Sequence, residues 1–135
     1  MGIEYKFDEE RGATIVRGWG YLNLDQLLEA LMRLNQDPGF NPEYQTLCDY
    51  TEVTELDLDP EALLAIIRET QKVDQRQGRT AMIMADDRTH QSIAKLYEML
   101  AAEGLNDKHR VFNNVVEAEI WLGLRDLRDV ANLKF

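Results

Sequence analysis

The chain of 135 residues contains one cysteine and three prolines, and no long hydrophobic run interrupts its polar residues. Because Cys48 has no second cysteine to pair with, an internal disulfide is excluded, which favours a reducing compartment and a cytoplasmic protein. No apolar stretch approaches the roughly 20 residues of a membrane-spanning helix, so stable membrane insertion is not expected. The N-terminal residues MGIEYKFDEE also lack the basic and apolar regions of a secretory signal peptide.

Positive charge is scarce. The chain has 15 Lys and Arg residues against 25 Asp and Glu residues, which gives a formal net charge of -10. A surface this acidic repels phosphate groups, so the sequence predicts no nucleic-acid partner and disfavours anionic membranes.

The patterns of common catalytic sites are missing as well. Ser92 is the only serine and lies in no GxSxG turn, and the chain has no glycine-rich phosphate loop. His90 and His109 lack an HExxH motif or a cysteine partner, and we predict that both lie at the surface. We therefore expect no catalytic residue, no metal site, no cofactor and no enzymatic activity. An unrecognised enzyme, using Asp86, Asp87, His90 and the acidic stretch at 48–63, stays open as an alternative.

The alternation of apolar and polar residues predicts the fold. Strands are expected at 3–7, 13–20, 44–50, 79–85 and 109–112, and helices are expected to begin near Asn23, Asp59, Asp87 and Asn114. The order β-β-α-β-α-β-α-β-α predicts a single α/β domain with an N-terminal hairpin. Its five-stranded sheet should be mixed and mostly parallel.

The domain is predicted to span residues 1–123, with an amphipathic tail at 124–135. Apolar residues recur in this tail at helical spacing, at Leu124, Leu127, Val130 and Leu133. The tail is expected to pack on its own domain, to form a dimer contact or to cover a cavity. The open edge of the first strand is also compatible with a homodimer.

The stretch CDYTEVTELDLDPEAL, residues 48–63, is the richest in acidic side chains. Its acids at 57, 59 and 61 have calcium-loop spacing, but Ala62 stands where that loop needs glycine, so no metal site is expected. Asp59 followed by Pro60 is instead typical of a helix start. We predict an exposed, partner-facing loop that leads into this helix and is formed by Thr51, Thr54, Leu56, Asp57, Leu58, Asp59 and Glu61.

Aromatic and thioether side chains give a second candidate site. We predict an apolar pocket, because methionine and aromatic side chains adapt to apolar ligands. Ordinary core packing is the alternative for the same side chains. The candidate pocket residues are Trp19, Tyr50, Met82, Met84 and Tyr97.

Four segments in order resemble the STAS type of domain, the fold of anti-sigma-factor antagonists. The likeness is greatest to small bacterial STAS/CRAL-TRIO-like proteins of uncertain role. The segments are GWGYLNLDQLLEAL, DPGFNPEYQTLCDYTEV, RTAMIMADD and VFNNVVEAEIWLG. In phosphorylated STAS proteins, a serine lies in the turn before the second helix. The corresponding residue here is Leu58 or Asp59, and neither has a hydroxyl group.

Two functions follow as expectations. The resemblance to lipid-binding CRAL-TRIO folds implies a carrier or sensor of a small non-polar molecule, with a cavity of roughly 300 Å³ or more. The resemblance to STAS domains implies a module that binds a protein partner, with exposed Leu56 and Leu58 on the acidic loop. Burial of both leucines would count against this second function.

Overall fold

The elements alternate as expected in the computed structural model, which describes residues 2–105 and 108–127. The five strands form one sheet in the order β1-β2-β3-β4-β5. β1 is antiparallel to β2, and the other neighbours are parallel. The predicted single-domain α/β fold with an N-terminal hairpin is confirmed. The elements are β1 (Gly2–Asp8), β2 (Ala13–Asn23), α1 (Leu24–Gln36), β3 (Gln45–Asp57), α2 (Pro60–Val73), β4 (Thr80–Met84), α3 (Arg88–Gly104), β5 (His109–Phe112) and α4 (Val115–Leu122).

Local capping signals set the start of the first two helices. The Asn23 side chain accepts a hydrogen bond from the Gln26 amide at 3.0 Å, and the Gln26 side chain accepts one from the Asn23 amide at 2.8 Å. This reciprocal pair satisfies two amides that the first helical turn leaves free. Asp59 caps α2 in the same way by accepting from the Ala62 amide at 2.8 Å, with Pro60 at the first helical position.

The acidic stretch is a strand where a loop was predicted. β3 continues to Asp57 because its second half pairs with the second half of β2, from Glu52 opposite Trp19 to Asp57 opposite Asn23. On its other side, β3 loses its partner after Tyr50, which is opposite the last residue of β4. In the described part of the chain, residues 51–57 therefore form the outer edge of a two-stranded extension of the sheet.

The sheet has two differently covered faces. Helices α1, α2 and α3 lie on one face, and α4 packs against β4 and β5 on the other. Because successive side chains of a strand point to opposite faces, Val16 and Cys48 face the three helices, whereas Ile15 and Leu47 face α4. Both Ile15 and Leu47 are fully buried on the α4 face.

The start of the predicted tail belongs to this core. Leu127 is fully buried in the α4-face cluster, and Leu124 packs against it. This part of the tail packs on its own domain, on the face opposite the three helices. Val130 and Leu133 lie outside the described residues. None of the helices in the described chain combines the length and the apolar character needed to cross a bilayer.

Candidate functional site

A cavity of about 130 Å³ lies between the sheet and helices α1, α2 and α3. It is partly open to solvent and is smaller than the roughly 300 Å³ expected from the sequence. Each helix contributes the apolar stripe that its sequence predicts, and the strands contribute every second residue. The helical apolar lining consists of Leu27, Leu28, Ala30, Leu31, Leu34, Leu63, Ile66, Ile93 and Ala94.

Four of the five predicted pocket residues line this cavity. Tyr50 and Met84 are opposite each other on β3 and β4, and Met82 and Tyr97 also contribute to the wall. Trp19 is not part of the lining, and its ring lies under the guanidinium of Arg17, with 5.6 Å from Cζ to the ring centroid. The structure thus brings four of these side chains together at one cavity and leaves Trp19 elsewhere.

A buried ion pair forms one polar part of the site. Nε of Arg76 donates hydrogen bonds to both carboxylate oxygens of Asp74, at 2.8 and 3.0 Å. The two side chains are only 9% and 7% exposed, and Arg76 lines the cavity. Burial acts to raise the pKa of Asp74, but the hydrogen bond and charge of Arg76 outweigh burial and hold that pKa below its usual value. The pair is therefore ionised at neutral pH.

Tyr97 and His109 form a second polar part beside Arg76. The Tyr97 hydroxyl lies 3.2 Å from Nδ1 of His109, and both residues line the cavity. Burial, followed by the charge of Arg76, lowers the pKa of His109 to about 4. Burial likewise raises the pKa of Tyr97 above its ordinary value. At neutral pH the imidazole and the phenol are both uncharged.

Cys48 lies in the same wall as an unreactive thiol. It is 5% exposed, and burial raises its pKa to about 11. Burial also raises the pKa of the neighbouring Tyr50 well above its usual value. The expectation that Cys48 sits in the interior of a strand agrees with this position.

Both histidines are buried, so the prediction that they lie at the surface is wrong. His109 and Val111 lie two residues apart on β5 and therefore point to the same face, which lines the cavity. His109 is only 8% exposed there. His90 is 7% exposed and its Nδ1 contacts Asp87, which caps α3 by accepting from the His90 amide at 2.9 Å. Asp86, the third member of the alternative catalytic group, is exposed.

The predicted partner-facing residues are divided between two environments. Leu56 and Leu58 are half-buried and line the cavity, which counts against an exposed apolar patch on this segment. The remaining members are exposed, on β3 or at the start of α2: Thr51, Thr54, Asp57, Asp59 and Glu61. Within residues 2–105 and 108–127, no three His, Cys, Asp or Glu side chains are grouped so that they could hold a metal ion.

Comparisons with known proteins identify the fold. No protein-family model matches the chain, and no curated protein matches it in sequence. Among solved structures, it is similar to an uncharacterized protein of the DUF3478 family with a SpoIIAA-like fold from Shewanella loihica PV-4. The TM-score is 0.57 at 18% identity, over 90% of this chain and 94% of the other. The fold is SpoIIAA-like, of the STAS type.

A second solved structure supports the same fold. The anti-sigma factor antagonist SpoIIAA, in its unphosphorylated form, gives a TM-score of 0.50 at 12% identity, over 98% of this chain and 100% of the other. The resemblance inferred from four sequence segments therefore holds for the arrangement of the whole SpoIIAA-like domain.

Proposed function

We propose that this chain is a non-catalytic binding module that holds a small, mainly non-polar molecule in the cavity under α1, α2 and α3. The observation that carries this proposal is the cavity itself, which has a volume of about 130 Å³ and a lining that is half leucine, isoleucine and methionine. An apolar cavity of about 150 Å³ in another protein binds benzene, so a volume of this order accommodates a small organic molecule. The ligand is accordingly smaller than the one that the sequence led us to expect.

The ionisable groups of the cavity favour binding over catalysis. A general acid or base works best when its pKa lies near the working pH. His109, with a pKa of about 4, is a weak base at neutral pH, and Cys48, with a pKa of about 11, is almost entirely protonated. These two groups therefore provide polarity in the wall without an activated nucleophile or a tuned base.

A protein-interaction or regulatory role is the second candidate. The SpoIIAA-like fold is shared with an anti-sigma factor antagonist, and residues 51–57 give this chain an exposed strand edge. An edge of this kind can add a strand from a partner. Because Asp59 is used as a helix cap and Leu58 has no hydroxyl, this role does not involve a phosphoserine at the turn before α2.

Methionine methyl groups provide a direct test of the cavity proposal. In protein with ¹³C-labelled methionine methyls, titration with toluene should shift the signals of Met82 and Met84, which line the cavity. Met32 and Met99, which are 41% and 70% exposed, serve as internal controls and should not shift. Unchanged signals from Met82 and Met84 at saturating toluene would contradict the proposal.

A pair of variants on one helix provides the matched control. Ala94 lines the cavity from α3, whereas Ala102 is exposed on the same helix. Ala94→Leu adds three carbon atoms to the cavity and should abolish the toluene shifts, and Ala102→Leu should retain them. Native mass spectrometry of freshly purified protein, followed by organic extraction, would then identify the class of the natural ligand.

A further inference from the structure

The charge that reaches the cavity is positive. Of the described residues that line it, Arg76 is the one with a permanently charged side chain, and its pKa is raised because Asp74 outweighs the effect of burial. Asp74 is not part of the lining, so its carboxylate compensates the arginine from outside the cavity wall. At Cys48, Tyr97 and His109, which line the cavity, the charge of Arg76 acts more strongly than the opposing charge of Asp74.

The guanidinium also has an edge free to bind. Asp74 occupies Nε with both of its oxygens, and Nη1 and Nη2 make no hydrogen bond to any described residue. Among those residues, every deeply buried side-chain nitrogen or oxygen has a hydrogen-bond partner, so the two terminal nitrogens retain accessible surface. Nη1 and Nη2 of an arginine form a planar fork that matches the two oxygens of a carboxylate.

The groups around Arg76 suit an acceptor rather than a donor. The Tyr97 hydroxyl and the Cys48 thiol lie close enough for Arg76 to act on their pKa values, and both groups carry a proton at neutral pH. No carboxylate lines the described part of the cavity, and the charge of Asp74, which acts on Tyr97 and His109 there, is paired with Arg76. The polar part of the site is complementary to a negatively charged head group.

We infer that the ligand is a small amphipathic anion, an apolar body bearing one carboxylate that pairs with Nη1 and Nη2 of Arg76. This inference rests on the proposed function, because it places the apolar body among the leucines and methionines of the same cavity. The volume of about 130 Å³ limits the enclosed body to about the size of a benzene ring.

Three probes of nearly equal shape separate charge from size. Benzoate carries the carboxylate, benzamide is its neutral counterpart, and toluene lacks the polar group. Binding is measured from the methyl shifts of Met82 and Met84 in about 0.15 M salt, which screens the acidic surface. In the unmodified protein, benzoate should bind at least tenfold more tightly than benzamide.

The matching variant removes both members of the ion pair. Asp74→Asn/Arg76→Gln avoids leaving a buried carboxylate without its partner, which would destabilise the fold. In this variant the affinities for benzoate and benzamide should differ by less than twofold, and the toluene shifts should remain. Arg68→Gln removes one positive charge from the exposed surface of α2 and should keep the tenfold preference.

The outcomes distinguish this inference from the proposed function. Equal binding of benzoate and benzamide to the unmodified protein, with toluene still bound, would overturn the carboxylate assignment and leave the cavity function intact. Retention of the preference in the double variant would overturn the role of Arg76. If none of the probes shifts Met82 or Met84, the proposed function fails, and this inference fails with it.

Discussion

His109 makes the stability of the domain depend on pH in a window where few other groups titrate. Its pKa falls from 6.5 to about 4 on folding, mainly because burial disfavours the charged imidazolium. Between these two pH values the unfolded chain binds more protons than the folded one. Stability linked to His109 is therefore fully present above pH 6.5 and is lost as the pH falls towards 4.

The size of the effect follows from the two pKa values. A difference of about 2.5 pH units at about 1.4 kcal/mol per unit amounts to about 3 kcal/mol over the whole window. Between pH 7 and pH 5 the same expression gives a loss of about 2 kcal/mol. This range also stays above the isoelectric point of about 4.6, where the protein is least soluble.

His109→Asn isolates this contribution. Asparagine cannot be protonated in this range, and its side-chain amide can accept from or donate to the Tyr97 hydroxyl in place of Nδ1. Urea unfolding followed by circular dichroism at pH 7, 6 and 5 gives the free energy of unfolding of both proteins. As the pH falls from 7 to 5, the free energy of unfolding of the variant, relative to that of the unmodified protein, should rise by about 2 kcal/mol.

Carboxylates do not account for this change. Asp74 and Asp87 have lowered pKa values in the folded chain, so their contribution is present above about pH 4 and is lost below it. That contribution is common to both proteins, so it cancels in the difference between their free energies of unfolding. Parallel stability curves from pH 7 to pH 5 would refute the assignment of a buried, neutral His109, as would an NMR titration of its ring near pH 6.5.

Two further predictions concern packing and the thiol. Leu47→Ala removes a fully buried side chain on the α4 face and should lower the free energy of unfolding by about 3 kcal/mol. Ile120→Ala, at a side chain that is 75% exposed, is the control and should change this free energy by less than about 0.5 kcal/mol. Equal losses for the two variants in urea unfolding would contradict the described core. Cys48 should resist a thiol reagent in the folded protein at pH 8, because a pKa of about 11 leaves only about one thiolate per thousand molecules. In denaturant, the same cysteine should react fully. Rapid labelling of the folded protein would contradict the burial of Cys48.

The parts of the fold that depend on neighbouring residues could be predicted from the sequence. The capping box of Asn23 and Gln26 and the helix start at Asp59 and Pro60 are made within four residues, so their local signals were sufficient. The order of strands and helices also followed from the alternation of apolar residues. These features fix which face of the sheet α1, α2 and α3 cover, and hence the position of the cavity between that face and these helices.

The parts that depend on distant contacts could not be predicted. The acidic stretch of β3 has residues with low strand preference, and it is a strand because β2 extends beside it. Arg76 lies in the polar segment QRQG, which by itself is typical of a turn, but its side chain is buried and lines the cavity with Tyr97 and His109, which are distant in sequence. His109 did carry a signal, because strand alternation places it on the same face as Val111.

The cavity has an energetic cost that the rest of the core must offset. A cavity of about 130 Å³ costs roughly 3 kcal/mol relative to a filled core, at about 24 cal/mol per Å³. This is a large fraction of the 5–15 kcal/mol that typically stabilises a domain. Burial of Ile15, Leu47 and Leu127 on the α4 face stabilises the domain and helps to offset such a cost. Ala94→Leu, which adds three carbon atoms to the cavity lining, would reduce this volume and therefore lower its cost.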